Sequence, residues 1–125
     1  MTSYPYIVKT DNNRCWYLDK NRAILHREDG PAVEWDDGSK SWYIYGKRHR
    51  LDGPAVEYAT GYKAWYINDK LHRLDGPAIE WEYKLKDWCI NDVNLTNDVE
   101  DWMTKNSISY PFDEETSMLF KLTWG

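Results

Sequence analysis

Hydrophobic residues along this chain alternate with polar ones in short runs, and the runs return at a fixed interval. Pro-Ala-Val-Glu-Trp at 31–35, Pro-Ala-Val-Glu-Tyr at 54–58 and Pro-Ala-Ile-Glu-Trp at 77–81 lie 23 residues apart, each preceded by a segment that opens on His26, His49 or His72. Short strict alternation reads as a half-buried strand, and a period in this range marks stacked supersecondary units rather than one irregular core. Within each unit an aliphatic residue precedes a Trp by nine positions: Val33 and Trp42, Val56 and Trp65, Ile79 and Trp88. Turn signals stand midway at Asp37-Gly38 and Thr60-Gly61. A two-residue turn there makes each aliphatic side chain the cross-strand partner of its Trp. Ile7 and Trp16, around Asp11-Asn12, extend the rule to a fourth unit, with Pro5 in the place of Pro31, Pro54 and Pro77. The pattern predicts a mainly β fold, a single antiparallel meander of about four repeated β-hairpins over residues 5–92.

Successive strand residues point to opposite faces, so this register sorts the side chains. One face receives Ile7, Val33, Val56 and Ile79 with Trp16, Trp42, Trp65 and Trp88, and Leu18, Ile44, Ile67 and Ile90 beyond them. The other receives Ala32, Ala55 and Ala78, Glu34, Glu57 and Glu80, and Tyr17, Tyr43 and Tyr66, and is expected to face water. After Asn91 the repeat decays. Asn97 before Asp98-Val99-Glu100, and Asp113 before Glu114-Glu115, carry the marks of capped helix starts with acids in the first turn. Residues 93–125 are therefore expected to form one or two short helices that cap the apolar face, the whole chain 1–125 being one domain. Eight strands span roughly 38 Å and a ten-residue helix only about 15 Å, so that cover is incomplete. The sheet curls, two copies meet in a homodimer, or a partner uses the remainder.

Composition and charge narrow the function classes. Eight Trp and ten Tyr against two Phe suit half-buried surfaces and interfaces more than a sealed interior. The net charge of −5 is uneven, with 15 acids and 14 bases up to residue 96 and 6 acids against 2 bases beyond it. A nearly neutral body with an acidic tail argues against a nucleic-acid surface and offers no basic amphipathic face to a membrane. No stretch reaches the roughly 20 apolar residues of a membrane span, and the first ten residues lack a secretory pattern, so a soluble cytoplasmic protein is expected. Cys15 and Cys89 are expected as free thiols.

The segments HREDGPAVE (26–34), HRLDGPAVE (49–57) and HRLDGPAIE (72–80), with Gly46-Lys47-Arg48-His49, the turn glycine Gly61 and an aromatic strand ending in Trp65, resemble a variant of the MORN repeat. They are similar above all to the HRxDGPAxE repeats of small tailed-phage and bacterial proteins. The resemblance covers residues 5–92. It departs from the MORN pattern where Arg27, Arg50 and Arg73 replace the glycine that follows the histidine. It implies a single-layer meander used for protein binding, and no catalytic scaffold.

A residue that recurs in every unit is first a building part. Equivalent histidines in neighbouring hairpins lie about 10 Å apart, too far to share one metal ion. His26, His49 and His72, with Gly30, Gly53 and Gly76 and the four Trp, are therefore read as structural, and no metal site or cofactor is expected. The Asp before each Gly-Pro is read as a turn residue, and Arg27, Arg50 and Arg73 either pair with local acids or form a basic edge. Arg48 and Tyr45 break the repeat, since Leu71 and Asn68 stand at their places in the next unit. Large rings near arginine have the composition of an interface hot spot. Tyr43, Tyr45, Arg48, Arg50, Tyr66 and Arg73 are accordingly the candidate partner-binding residues.

With no nucleophile and base, no metal set and no glycine-rich phosphate loop, the chain reads as a non-enzymatic protein-binding module. The resemblance implies a phage-encoded inhibitor that occupies a host bacterial protein of defence or metabolism. The alternative is a binder that sequesters a small anionic ligand such as a nucleotide signal.

Overall fold

The computed structural model describes residues 6–83 and 85–125, so Pro5 lies outside the described residues. Eight antiparallel strands follow one another in a meander: β1 (Tyr6–Lys9), β2 (Asn13–Tyr17), β3 (Val33–Trp35), β4 (Lys40–Ser41), β7 (Val56–Glu57), β8 (Lys63–Ala64), β11 (Ile79–Glu80) and β12 (Lys86–Asp87). After β4, β8 and β12 the chain leaves the sheet at a Trp and forms a second, smaller hairpin. These are β5 (Tyr43–Ile44) with β6 (Lys47–Arg48), β9 (Tyr66–Ile67) with β10 (Lys70–Leu71), and β13 (Cys89–Ile90) with β14 (Val93–Asn94). Their turns, Tyr45-Gly46, Asn68-Asp69 and Asn91-Asp92, have both residues at positive φ between 48° and 77°. That is the type I′ geometry whose twist suits a two-residue hairpin. Two helices follow, α1 (Thr96–Lys105) and α2 (Glu114–Trp124). No helix among the described residues is long and apolar enough to cross a membrane.

The expected pairing holds in the first hairpin, where Ile7 faces Trp16 around a two-residue turn. In the repeats it is shifted by one: Val33 faces Ser41, Val56 faces Ala64 and Ile79 faces Asp87. The cause is the loop length. Trp35 donates its N–H to Ser39 O and Tyr58 to Tyr62 O, which leaves three residues in each loop, the last being Gly38 or Gly61 at φ of 93° and 105°. A left-handed glycine closing a three-residue loop is a common hairpin connection, and a slip of one position turns every side chain to the other face. The expected faces are corrected accordingly. Val33, Val56 and Ile79 lie on the side opposite the indoles, and Ala32, Ala55 and Ala78, expected to face water, are fully buried on the indole side. Glu34, Lys40, Glu57, Lys63, Glu80 and Lys86 share that side as a cross-strand row of alternating charge.

The units are tied together through the backbone. Trp16, Trp42 and Trp65 donate their N–H to the carbonyls of Ala32, Ala55 and Ala78 in the following unit. Trp88 has no following unit, and the Thr96 hydroxyl takes its N–H at 3.0 Å instead. α1 thus begins at Thr96, whose own N–H is capped by Asn94 Oδ1 at 2.9 Å, and Asn97 lies inside the helix rather than at its cap. α2 starts as expected, with Asp113 Oδ1 accepting from Thr116 N–H at 2.7 Å. Both helices close over Trp88, which is buried with Val99 and Phe120 beneath Trp102, Tyr110, Phe112 and Trp124. Cys15 and Cys89 are free thiols.

Candidate interaction surface

Consider first the indole side. Arg27, Arg50 and Arg73 lie over the rings of Trp16, Trp42 and Trp65 at 3.9, 3.7 and 3.8 Å from the centroids. Each guanidinium also donates from Nε to Asp29, Asp52 or Asp75 and from Nη1 to the carbonyl of Pro31, Pro54 or Pro77. Glu34, Glu57 and Glu80 complete the charge balance within 3.9, 3.3 and 3.5 Å. A planar, delocalised cation is suited to this, since it stacks on a ring and forks to two acceptors at once. The Gly-Pro glycines leave room for it: a Cβ at Gly30 or Gly53 would stand 2.9 Å from the guanidinium carbon, and at Gly76 2.6 Å. Arg50 and Arg73, candidates for partner binding, therefore have Nε and Nη1 engaged inside the repeat.

The histidines serve the same ladder. Nδ1 of His26, His49 and His72 accepts the backbone N–H of Tyr45, Asn68 and Asn91 at 2.8, 3.0 and 3.2 Å. The next N–H in each type I′ turn goes to the carbonyl just before the histidine, on Leu25, Arg48 and Leu71. Each small hairpin is thus clipped to the unit before it at both turn amides. A neutral imidazole accepting at Nδ1 carries its proton on Nε2, so the Nδ1 lone pair is already used and is not open to a ligand. Between successive loops run two equivalent clefts of about 620 and 760 Å³, floored by Trp65 with Ile67 and by Trp42 with Ile44.

The opposite side is different. Tyr62, Tyr66 and Leu71 pack over the buried Val56, Ala64 and Ile79. Arg48 lies over the Tyr66 ring at 4.1 Å and donates from Nε to Asp69. Tyr43 faces Arg48 across β5 and β6. Tyr58 stacks on Tyr62 at 5.1 Å, Tyr62 meets Trp81 edge-on at 5.1 Å, and Trp81 Nε1 donates to Asp87 at 2.9 Å. Burial pushes the phenols of Tyr43, Tyr62 and Tyr66 above their ordinary range, so they remain neutral hydrogen-bond donors. The bond from Arg48 holds the Asp69 carboxyl below the usual carboxylate range.

Of the sequence candidates, Tyr43, Arg48 and Tyr66 come together here. Tyr45 does not join them; it sits in its turn, 64% exposed, with its ring 4.4 Å from that of His26. Tyr58, Tyr62 and Trp81 were missed. For Tyr58 and Trp81 the signal was the column Trp35, Tyr58, Trp81, aromatic in the last three hairpins at the 23-residue interval, and for Tyr62 the break in the column Ser39, Tyr62, Leu85. No protein family, no curated protein and no solved structure matches this chain.

Proposed function

We propose that the protein is a non-enzymatic binding module that meets a protein partner with its tyrosine side. One observation carries the reading: Tyr58 and Trp81, 49% and 43% exposed, form one contiguous aromatic surface with Tyr62, beside Tyr66 and Arg48. Tyr, Trp and Arg are the residue types that carry binding energy at protein interfaces, and here they stand in or next to paired strands. On the indole side the arginines and histidines are engaged in holding the units together. The resemblance to the HRxDGPAxE repeats adds the finer reading of a phage-encoded inhibitor that occupies a host bacterial protein.

Bacterial lysate passed over immobilised protein tests this. One stoichiometric partner is expected, lost with Arg48→Ala combined with Tyr58→Ala and kept with Tyr45→Phe. Recovery of chaperones alone, or a partner held equally by the double variant, overturns the reading.

A further inference from the structure

The columns of the repeat reveal one place where the aromatic surface lacks a part. Trp35, Tyr58 and Trp81 share a position in three successive hairpins, and each donates its N–H across the loop to Ser39, Tyr62 or Leu85. In the second of these units Tyr62 fills the space between Tyr58 and Trp81, touching both rings. One unit earlier the filling residue is Ser39, which is buried and uses its hydroxyl to accept the Ala59 N–H at 2.9 Å. A cavity of about 380 Å³ lies there instead, lined by Trp35, Asp37, Ser39, Tyr58, Ala59 and Thr60. The backbones of Trp35 and Tyr58 are two strand spacings apart, about 10 Å, which leaves room for one flat group between their rings.

The chemistry of that group follows from the lining. Asp37 is its one charged residue, and it enters no ion pair among the described residues. Its Oδ1 accepts the Ser39 N–H at 2.8 Å, and the Ser39 side chain also bonds the carboxylate. The Ser39 backbone bond first, and its side chain after it, hold the carboxyl below the ordinary carboxylate range, so it is anionic at neutral pH. Two aromatic walls and a carboxylate suit a planar cation better than a neutral ring or a compact, strongly hydrated ammonium. The same chain already stacks three of its own guanidinium groups on Trp rings against an Asp.

We infer that the gap between Trp35 and Tyr58 is a receptor for an arginine side chain of the protein partner, which takes the place that Tyr62 holds one unit later and meets Asp37. The identity of the donor as a protein rests on the proposed function; the guanidinium chemistry does not.

The test is titration of ¹⁵N-labelled protein with Nα-acetyl-arginine methylamide, read at the Trp35 indole cross-peak, with the citrulline analogue as the neutral isostere. Saturable movement of that peak is expected with arginine, about tenfold weaker with citrulline or in Asp37→Asn. Ser39→Tyr, which installs the filler of the next unit, abolishes it. Equal response to both compounds, an unmoved Trp35 peak, or binding that survives both variants overturns the inference. Asp37 is an exposed loop residue, so its variant keeps the test valid if Ser39→Tyr disturbs the hairpin. No partner is present in the titration, so its failure leaves the lysate experiment standing. Loss of the lysate partner with arginine binding intact would remove only the wider reading.

Discussion

The two sides of this sheet are built from the same repeat, yet they treat their aromatic residues in opposite ways. On the indole side each of Trp16, Trp42 and Trp65 lies under a guanidinium that is itself held by an Asp and a proline carbonyl. Each guanidinium covers the indole of the unit before it while the acids of its own unit balance its charge, and the pattern is copied from unit to unit. On the tyrosine side rings touch rings, Arg48 lies over Tyr66, and the residues differ between units: Trp35, Tyr58 and Trp81 in one column, Ser39, Tyr62 and Leu85 in the next. The lesson is that uniformity along a repeat marks the scaffold, and departure from it marks where the surface has been shaped for something outside the chain.

Substitution of one indole on each side breaks this comparison most directly. Trp88→Ala removes a side chain only 2% exposed at the centre of the helical cap, and should cost about 3–5 kcal/mol. Trp81→Ala, on a ring 43% exposed, should cost about 1 kcal/mol. Urea unfolding of both variants measures the difference, and equal losses would mean that the tyrosine side is as much a core as the indole side.

Arg50→Ala ranks next. It leaves the Pro54 carbonyl without its donor and Trp42 without its covering cation, for a loss of about 2–3 kcal/mol. Arg50→Lys should recover little of this, because an ammonium cannot stack on the ring while forking to Asp52 and Pro54. Full recovery in the same unfolding assay would show that only the charge matters there, and that the arginines are free enough to serve as a basic edge.

The meander was legible because its evidence is periodic: proline, alanine, aliphatic and Trp positions recur at 23 residues, and their recurrence survives any error in local detail. The pairing register was not legible beyond the first hairpin. Asp37-Gly38 and Thr60-Gly61 fit both a two-residue turn and the end of a three-residue one, and only the backbone conformation of Gly38 and Gly61 decides between them. That single ambiguity exchanged Val33, Val56 and Ile79 with the alanines. The small hairpins were signalled by Asn68-Asp69 and Asn91-Asp92, dipeptides tolerant of positive φ, but those residues also suit a loop. Without these hairpins the role of the histidines stayed hidden, since their Nδ1 partners are amides 19 residues further on. Tyr43, Arg48 and Tyr66 were found through their breaks in the pattern or their rings, whereas Tyr58, Tyr62 and Trp81 flank loops and so were passed over.

Alkaline pH sharpens the comparison with the smallest effect. Tyr43, Tyr62 and Tyr66 have phenols raised in the native state, first of all by burial, with neighbouring phenols and carboxylates adding to it and Arg48 working against it. The unfolded chain releases these protons near pH 10, before the native protein does. Their contribution is therefore complete below about pH 10 and is lost as pH rises through the higher native values. Replacing all three by Phe should move the alkaline unfolding midpoint upward, with circular dichroism following the fold and absorbance at the phenolate band following ionisation. Tyr45→Phe, in its exposed turn, should leave the midpoint where it was. If the triple variant also leaves it unchanged, the tyrosine rings are freely hydrated, and the contrast between a sealed side and a dry, partner-ready side loses its physical basis.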